Sequence, residues 1–236
     1  MMSNSVSRKA QRRRHVASAA LLCASMLACV PPALAQEVSQ AEKLLFQSNH
    51  LRNLTGPQAL RYRYVHKEKD GAGFSDAVQV DVGARNSDGG IAVTAKFLSG
   101  ERQVALPPLS SAEGNPALLG FLERDIAEMK RLTGGSTNYF RKRIRIALAE
   151  AASVEPVSLA YDGRQVQGRK IAIQPYLNDP MREKMQKYVG KNYVFLLSDE
   201  IPGAVYELKS TVPGEPKASA AQVEETMTLA GASGGP

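Results

Sequence analysis

Three histidines, His15, His50 and His66, and two cysteines, Cys23 and Cys29, are all the imidazole and thiol that this chain of 236 residues carries. Metal catalysis needs such ligands clustered, as in HExxH or CxxC, and neither spacing occurs; His50 and His66 are set apart by a predicted helix end and a strand. Nucleophilic hydrolysis needs an activated Ser, Thr or Cys beside a base, and the pattern predicts no such pair. His66 could share a proton with Asp76 or Asp81 across neighbouring strands, against the plainer reading of a part-exposed strand histidine. Gly134-Gly135 introduces neither a Gly-x-Gly-x-x-Gly nor a Walker pattern, so nothing points to a phosphate-bearing cofactor. The residues therefore predict no catalytic group, no metal and no cofactor, and a protein that is not an enzyme.

Two groups have the chemistry of binding. Tyr62, Tyr64, Phe97, Tyr193, Phe195 and Tyr206 all fall on predicted strands, and if their faces converge they would line a cavity for an acyl chain or another apolar ligand. The plainer alternative is that such aromatics form the core. Arg141, Lys142, Arg143 and Arg145 crowd four cations into five residues beside the flexible Gly134-Gly135, a pattern suited to an anionic headgroup. Its alternative is a solvated helix face balanced by Glu123, Asp125 and Glu128. Taken together the two groups would make an amphiphile site, apolar for tails and basic for a head.

The elements that must position these residues follow from periodicity. Asn115 as N-cap, Pro116 behind it, and Leu118, Leu122, Ile126, Met129 and Leu132 at steps of four and three predict a helix with one apolar stripe, ended by Gly134. A second helix follows Ser136; the run Ala147 to Ala152, rich in helix formers, decides against a strand there. Ser39 with Glu42 makes a capping box for an opening helix. Period-two alternation predicts strands around Leu60 to Tyr64, Val78 to Val82, Ile91 to Phe97, Val157 to Tyr161, Val166 to Ile173, Tyr193 to Leu197 and Val205 to Val212, with a short one at Gln103 to Leu106. Asp70-Gly71, Asn86 to Gly90 and Asp162-Gly163 supply tight turns. Asp179 and Pro180 open a short helix that Gly190 stops. The sum is an α+β fold: a curved, mostly antiparallel sheet of about eight strands, an N-terminal helix, a central helical pair and one further short helix.

Ahead of this lies a secretory leader over residues 1–35, with Arg8, Lys9, Arg12, Arg13 and Arg14, an apolar run from Val16 to Val30, and Ala33-Leu34-Ala35 before the predicted cleavage. A rival acylation site at Met26-Leu27-Ala28-Cys29 departs from the lipobox pattern. Cleavage after Ala35 removes five of 30 cations and none of 23 anions, leaving 25 against 23, so the net charge falls from +7 to +2 and gives no warrant for a nucleic-acid partner. It also removes both cysteines. No later run approaches the length of about 20 that a membrane span needs. Residues 36–212 are expected to form one domain, and 213–236, rich in Pro, Gly, Ala and Ser, a disordered tail in which 223–229 could add an edge strand.

The order helix, meander, helical insert, strands, together with the closing hairpin from Tyr193-Val194-Phe195-Leu196-Leu197-Ser198 to Pro202-Gly203-Ala204-Val205-Tyr206, resembles the periplasmic lipoprotein-carrier superfamily of LolA/LolB-like half-barrels. The resemblance implies a sheet wrapped around helices, a periplasmic address and a lipid, lipoprotein or other amphiphile as ligand. The alternative is an envelope accessory protein acting through protein contacts with no internal ligand. Intact mass of the exported protein tests the address: a start at Gln36 is expected, and an acylated Cys29 would overturn it.

Overall fold

The computed structural model describes residues 37–87, 89–214 and 221–234, so the leader expected over 1–35 lies outside the described residues. The described residues form nine strands: β1 Gln58–Glu68, β2 Phe74–Arg85, β3 Ile91–Phe97, β4 Leu109–Ala112, β5 Ser153–Tyr161, β6 Arg164–Ile173, β7 Asn192–Leu197, β8 Val205–Val212 and β9 Val223–Gly234. They make one open sheet in the order β4-β3-β2-β1-β9-β8-β7-β6-β5, and every neighbouring pair is antiparallel. Asp162-Gly163 joins β5 to β6 with φ of 50° and 72°, the primed turn whose twist matches the flanking strands.

The helices are α1 Gln40–Glu42, continued by a π-helical turn over Lys43–Gln47; α2 Pro116–Thr133; α3 Thr137–Glu150; and α4 Arg182–Met185, followed by a 3-10 turn over Gln186–Gly190. The first three starts are those the sequence predicts, whereas α4 begins at Arg182 behind Met181 and not at Pro180 behind Asp179, whose carboxylate is engaged by Tyr139 and Arg143. Ser39 accepts from the Glu42 amide while the Glu42 carboxylate accepts from that of Ser39; Asn115 caps α2, Gly134 ends it at φ 73°, and Ser136 caps α3.

Strand order dictates where the helical pair must run. The chain leaves the sheet at one edge, β4, and re-enters at the other, β5. Eight strand spacings of about 4.8 Å put those edges about 38 Å apart along the sheet. Helices of 18 and 14 residues rise about 27 and 21 Å, enough together to cross it. Accordingly α2 lies on β2, β3 and β8, α3 on β6, and α1 on α3 and β5. Beneath them the inward residues of the strands, among them Leu60, Tyr62, Tyr64, Val78, Val80, Ile171, Phe195 and Leu208, meet Leu118, Phe121, Leu122 and Ile126 of α2 and Phe140, Ile144 and Leu148 of α3 in one buried core. α2 comes closest at Gly120, where a Cβ would stand 2.3 Å from the Phe97 ring.

Several expectations are corrected. The segment expected as a disordered tail or edge strand is β9, central in the sheet between β1 and β8; its inward face, Val223, Glu225, Met227, Leu229, was disguised by a charge at a buried position. The domain therefore continues to residue 234, with 215–220 outside the described residues. Gln103 to Leu106 contributes only the bridge between Val104 and Phe97, and the edge strand is Leu109–Ala112, beyond Pro107-Pro108. The opening helix is short and ends as a π turn. Leu132, assigned to the apolar stripe of α2, stands in solvent, because the helix runs past the part of the core it covers.

Ending the chain at Pro213 should be far more damaging than removal of a tail. Without β9 the two meanders lose the strand that joins them, and cooperative thermal unfolding followed by circular dichroism should disappear; a truncated chain that still melts cooperatively would contradict the central placement.

Candidate functional site

The described residues enclose a cleft of about 520 Å³ between the Leu44–His50 segment and the corner where β5, β6 and the β7–β8 turn meet. Its position is fixed by polar contacts. Ser39 Oγ donates to the Leu148 carbonyl of α3 at 2.9 Å. His50, fully buried, bonds through Nε2 to the Leu44 carbonyl at 2.8 Å and through Nδ1 to the Asn115 amide at 3.2 Å. A carbonyl only accepts and an amide only donates, so the ring is the neutral Nε2–H tautomer. Burial pushes its pKa down, against the Leu44 bond. Asn115 in turn donates to Tyr62 Oη at 2.7 Å and the Gly203 carbonyl at 2.9 Å while capping α2. Asn53 holds the same turn through the Asp199 and Ile201 carbonyls and the Gly203 amide.

Leu44, Pro156, Leu197 and Ala204 give the cleft apolar walls, and Arg169, Asp199 and Glu200 give it charge. The acids are engaged: Asp199 pairs with Arg52, and Glu200 accepts from the Gln167 amide at 2.9 Å and lies 3.7 Å from Arg164. The guanidinium of Arg169, exposed on β6, has no ion-pair or hydrogen-bond partner among the described residues. Periodicity did not single it out, since an arginine on a strand near a turn looks like any surface cation.

The residues expected to bind are placed differently. Tyr62, Tyr64, Phe97, Tyr193 and Phe195 are all buried to 1% exposure or less and pack as core, with Tyr64 against Phe97 and Phe121 and Tyr193 stacked on Phe195. Tyr206 does not join them; its hydroxyl donates to the Ala160 carbonyl at 3.1 Å. None of the six lines the cleft. The basic cluster is likewise divided. Arg141 pairs with Glu123. Arg143 reaches inward to within 2.8 Å of the buried Asp179 carboxylate and to the Pro175 carbonyl. Lys142 and Arg145 remain exposed, with no side-chain partner among the described residues. Glu123 thus balances the cluster as expected, but Asp125 does not.

Asp125 belongs to a buried ionic network that sequence reasoning missed. It receives Lys191 Nζ and the Tyr193 hydroxyl, and because that proton is committed, Tyr176 is the donor in the 3.3 Å contact between the two tyrosine hydroxyls. Glu225 receives Arg124 and, at 3.0 Å, His66 Nδ1, so His66 faces Glu225 and neither Asp76 nor Asp81. Ser210 Oγ lies between the carboxylates, 3.3 Å from Asp125 and 3.4 Å from Glu225. Two acids and two fixed cations balance. The signal lay in register: Asp125 sits on the apolar stripe of α2, and His66, Ser210 and Glu225 continue inward alternations. Ser233, within the letters Gly-x-Ser-x-Gly at 231–235, lies along β9 and accepts from Arg61; it is not at a strand-to-helix turn. Among the described residues no group of three or more His, Cys, Asp or Glu could hold a metal ion.

No family model and no curated protein matches this chain. Among solved structures it is similar to LprF from Mycobacterium bovis, at 14% identity over 85% of this chain and 96% of that one with a TM-score of 0.33. It is also similar to the LolA superfamily protein NE2245 from Nitrosomonas europaea, at 8% identity over 85% and 95% with a TM-score of 0.24.

Glu225 makes stability depend on acid. Burial alone would raise its pKa, but the His66 bond and the charges of Arg124 and Lys191 outweigh it and hold the carboxyl at about 2, below its ordinary 4.5. A depressed folded pKa contributes stability that is complete above pH 4.5 and is lost as pH falls toward 2, on the order of 3 kcal/mol for this shift. Glu225→Gln should flatten that part of the stability–pH curve in chemical denaturation; an unchanged acid limb would show that the network does not hold the carboxylate.

Proposed function

We propose that this chain is a non-enzymatic binding or carrier protein for an amphiphile, a lipid or the lipid-bearing end of a lipoprotein, and that it works in the periplasm. The observation that supports this best is the cleft. Apolar walls from Leu44, Pro156, Leu197 and Ala204 stand beside Arg169, its only fixed cation and one without a carboxylate, and a volume of this order suits a small ligand held by few polar contacts. Because the aromatic core is filled, the ligand is taken at the cleft, with its tail on the apolar walls and an anionic head at Arg169, where a guanidinium offers paired donors. The address rests on the basic and apolar leader of residues 1–35. An accessory protein acting only through protein contacts would leave the cleft empty.

Mass spectrometry of extracts from protein purified without detergent tests the reading. The wild type should release a reproducible anionic amphiphile. Ser48→Trp, which fills the cleft from its rim, should abolish it, and Arg169→Gln should lower its occupancy about tenfold or more, as loss of a charged hydrogen bond implies. Clean wild-type extracts with one reproducible protein partner would favour the accessory reading.

A further inference from the structure

The segment between β6 and β7, residues 174–191, alternates anchors with exposed side chains. Tyr176, Asp179, Met185, Tyr188 and Lys191 are buried. Tyr176 and Lys191 enter the ionic network, while Asp179 receives Tyr139 and Arg143 of α3 and the Met181 amide. Between these anchors Leu177 and Met181 keep 43% and 39% of their surface exposed. Arg182, Lys184 and Lys187 are exposed beside them, with Glu183 as the one exposed acid of the segment. Met181 and Lys184 also border a hollow of about 300 Å³ against Gly134, Gly135 and Ser136. The break between α2 and α3 therefore belongs to the same end of the molecule, where Leu132 too is exposed.

Apolar side chains held out in water by a firmly anchored loop that also exposes three cations, none with a carboxylate partner among the described residues, suit an interface that is apolar inside and anionic at its rim. We propose that this end docks on an anionic lipid bilayer, with Leu177 and Met181 entering the headgroup boundary and Arg182, Lys184 and Lys187 meeting lipid phosphates. The charge complementarity selects a membrane: the exposed charge of the segment is +2, three cations against Glu183. The amphiphile cleft lies at the other end of β7, so the docking surface is separate from it.

Co-sedimentation of the exported protein with phosphatidylglycerol–phosphatidylcholine vesicles, against phosphatidylcholine alone, tests this. Binding should need the anionic lipid and fade between low and physiological salt. The triple variant Arg182→Gln, Lys184→Gln, Lys187→Gln should bind about a hundredfold more weakly, each cation near a charged surface being worth about fivefold. Leu177→Ser with Met181→Ser should also weaken binding, with its salt dependence kept. Both variants alter exposed side chains, so thermal unfolding should hold its midpoint. Wild type that ignores anionic vesicles, or loop variants that bind as wild type does, overturns the proposal. So does vesicle binding that Arg169→Gln abolishes while the loop variants keep it, since capture would then run through the cleft.

Discussion

Two carboxylates at the bottom of an apolar core constrain everything packed around them. Withdrawing Asp125 and Glu225 from water costs several kcal/mol for each ion, and only good geometry with further hydrogen bonds recovers it. Here the geometry draws on four strands, one helix and the β6–β7 segment: His66 from β1, Tyr193 from β7, Ser210 from β8, Glu225 from β9, Arg124 with Asp125 from α2, and Tyr176 with Lys191 from the segment. Arg124 and Asp125 are adjacent in sequence, so one turn of α2 must face β9 and β7 together, and the rotation of the helix about its axis is set. A one-residue slip of β9 would turn Glu225 to the outer face, put Glu224 or Thr226 in its place, and break the bonds that His66, Arg124 and Ser210 make to it. Apolar packing alone tolerates such shifts more readily; the ionic network makes them expensive.

The same residues explain why the last strand sits in the middle. β1 to β4 and β5 to β8 are separate antiparallel meanders, each able to form locally. β9 pairs with the first strand of one and the last strand of the other, and it brings the acid that Arg124 and His66 require. Its pairing with β1 shifts register between Arg61 and Tyr62, and bulges of this kind bend and twist a sheet. On one side of the shift Leu229, Met227 and Glu225 face the core opposite Tyr62, Tyr64 and His66; on the other the strand continues through Gly231, Ala232 and Ser233.

What the sequence revealed and what it hid follow from one difference. Local signals were legible: Ser39–Glu42, Asn115-Pro116, Gly134, Ser136 and Asp162-Gly163 act through bonds or dihedrals within a few residues, and each marks its element where the structure has it. Register supplied the aromatic core correctly, since Tyr62 to Tyr64 and Tyr193 to Phe195 alternate cleanly. Long-range partnership was not legible. Nothing near Asp125 in sequence shows that Lys191 meets it, and a carboxylate on an apolar stripe is indistinguishable from a solvated residue until its partner is known. For that reason β9, with Glu225 inside its pattern and Pro, Gly and Ala around it, looked like a tail. That the strand aromatics pack as core and do not line a cavity was hidden for a related cause: period two says which face is buried but not whether the buried space is empty.

With its interior spent on packing and charge neutralisation, the fold carries both proposed binding sites at its ends. β7, six residues long, spans about 17 Å; the cleft adjoins its Leu197 end and the proposed membrane-docking segment its Asn192 end. The network lies between them, and Lys191 and Tyr176 tie the docking segment to Asp125, while Asn115 and His50 tie the cleft wall to the start of α2. Both ends are therefore mounted on the same helix. A charge or cavity introduced at Asp125 should loosen the docking segment first, because Lys191 ends there and Tyr176 reaches it through Tyr193, whereas the cleft is held at the start of α2 through neutral bonds that no titration in the network removes. Substitution at Asp125 thus bears on membrane docking more than on the cleft, and the two proposed activities are separable by mutation although they share one core.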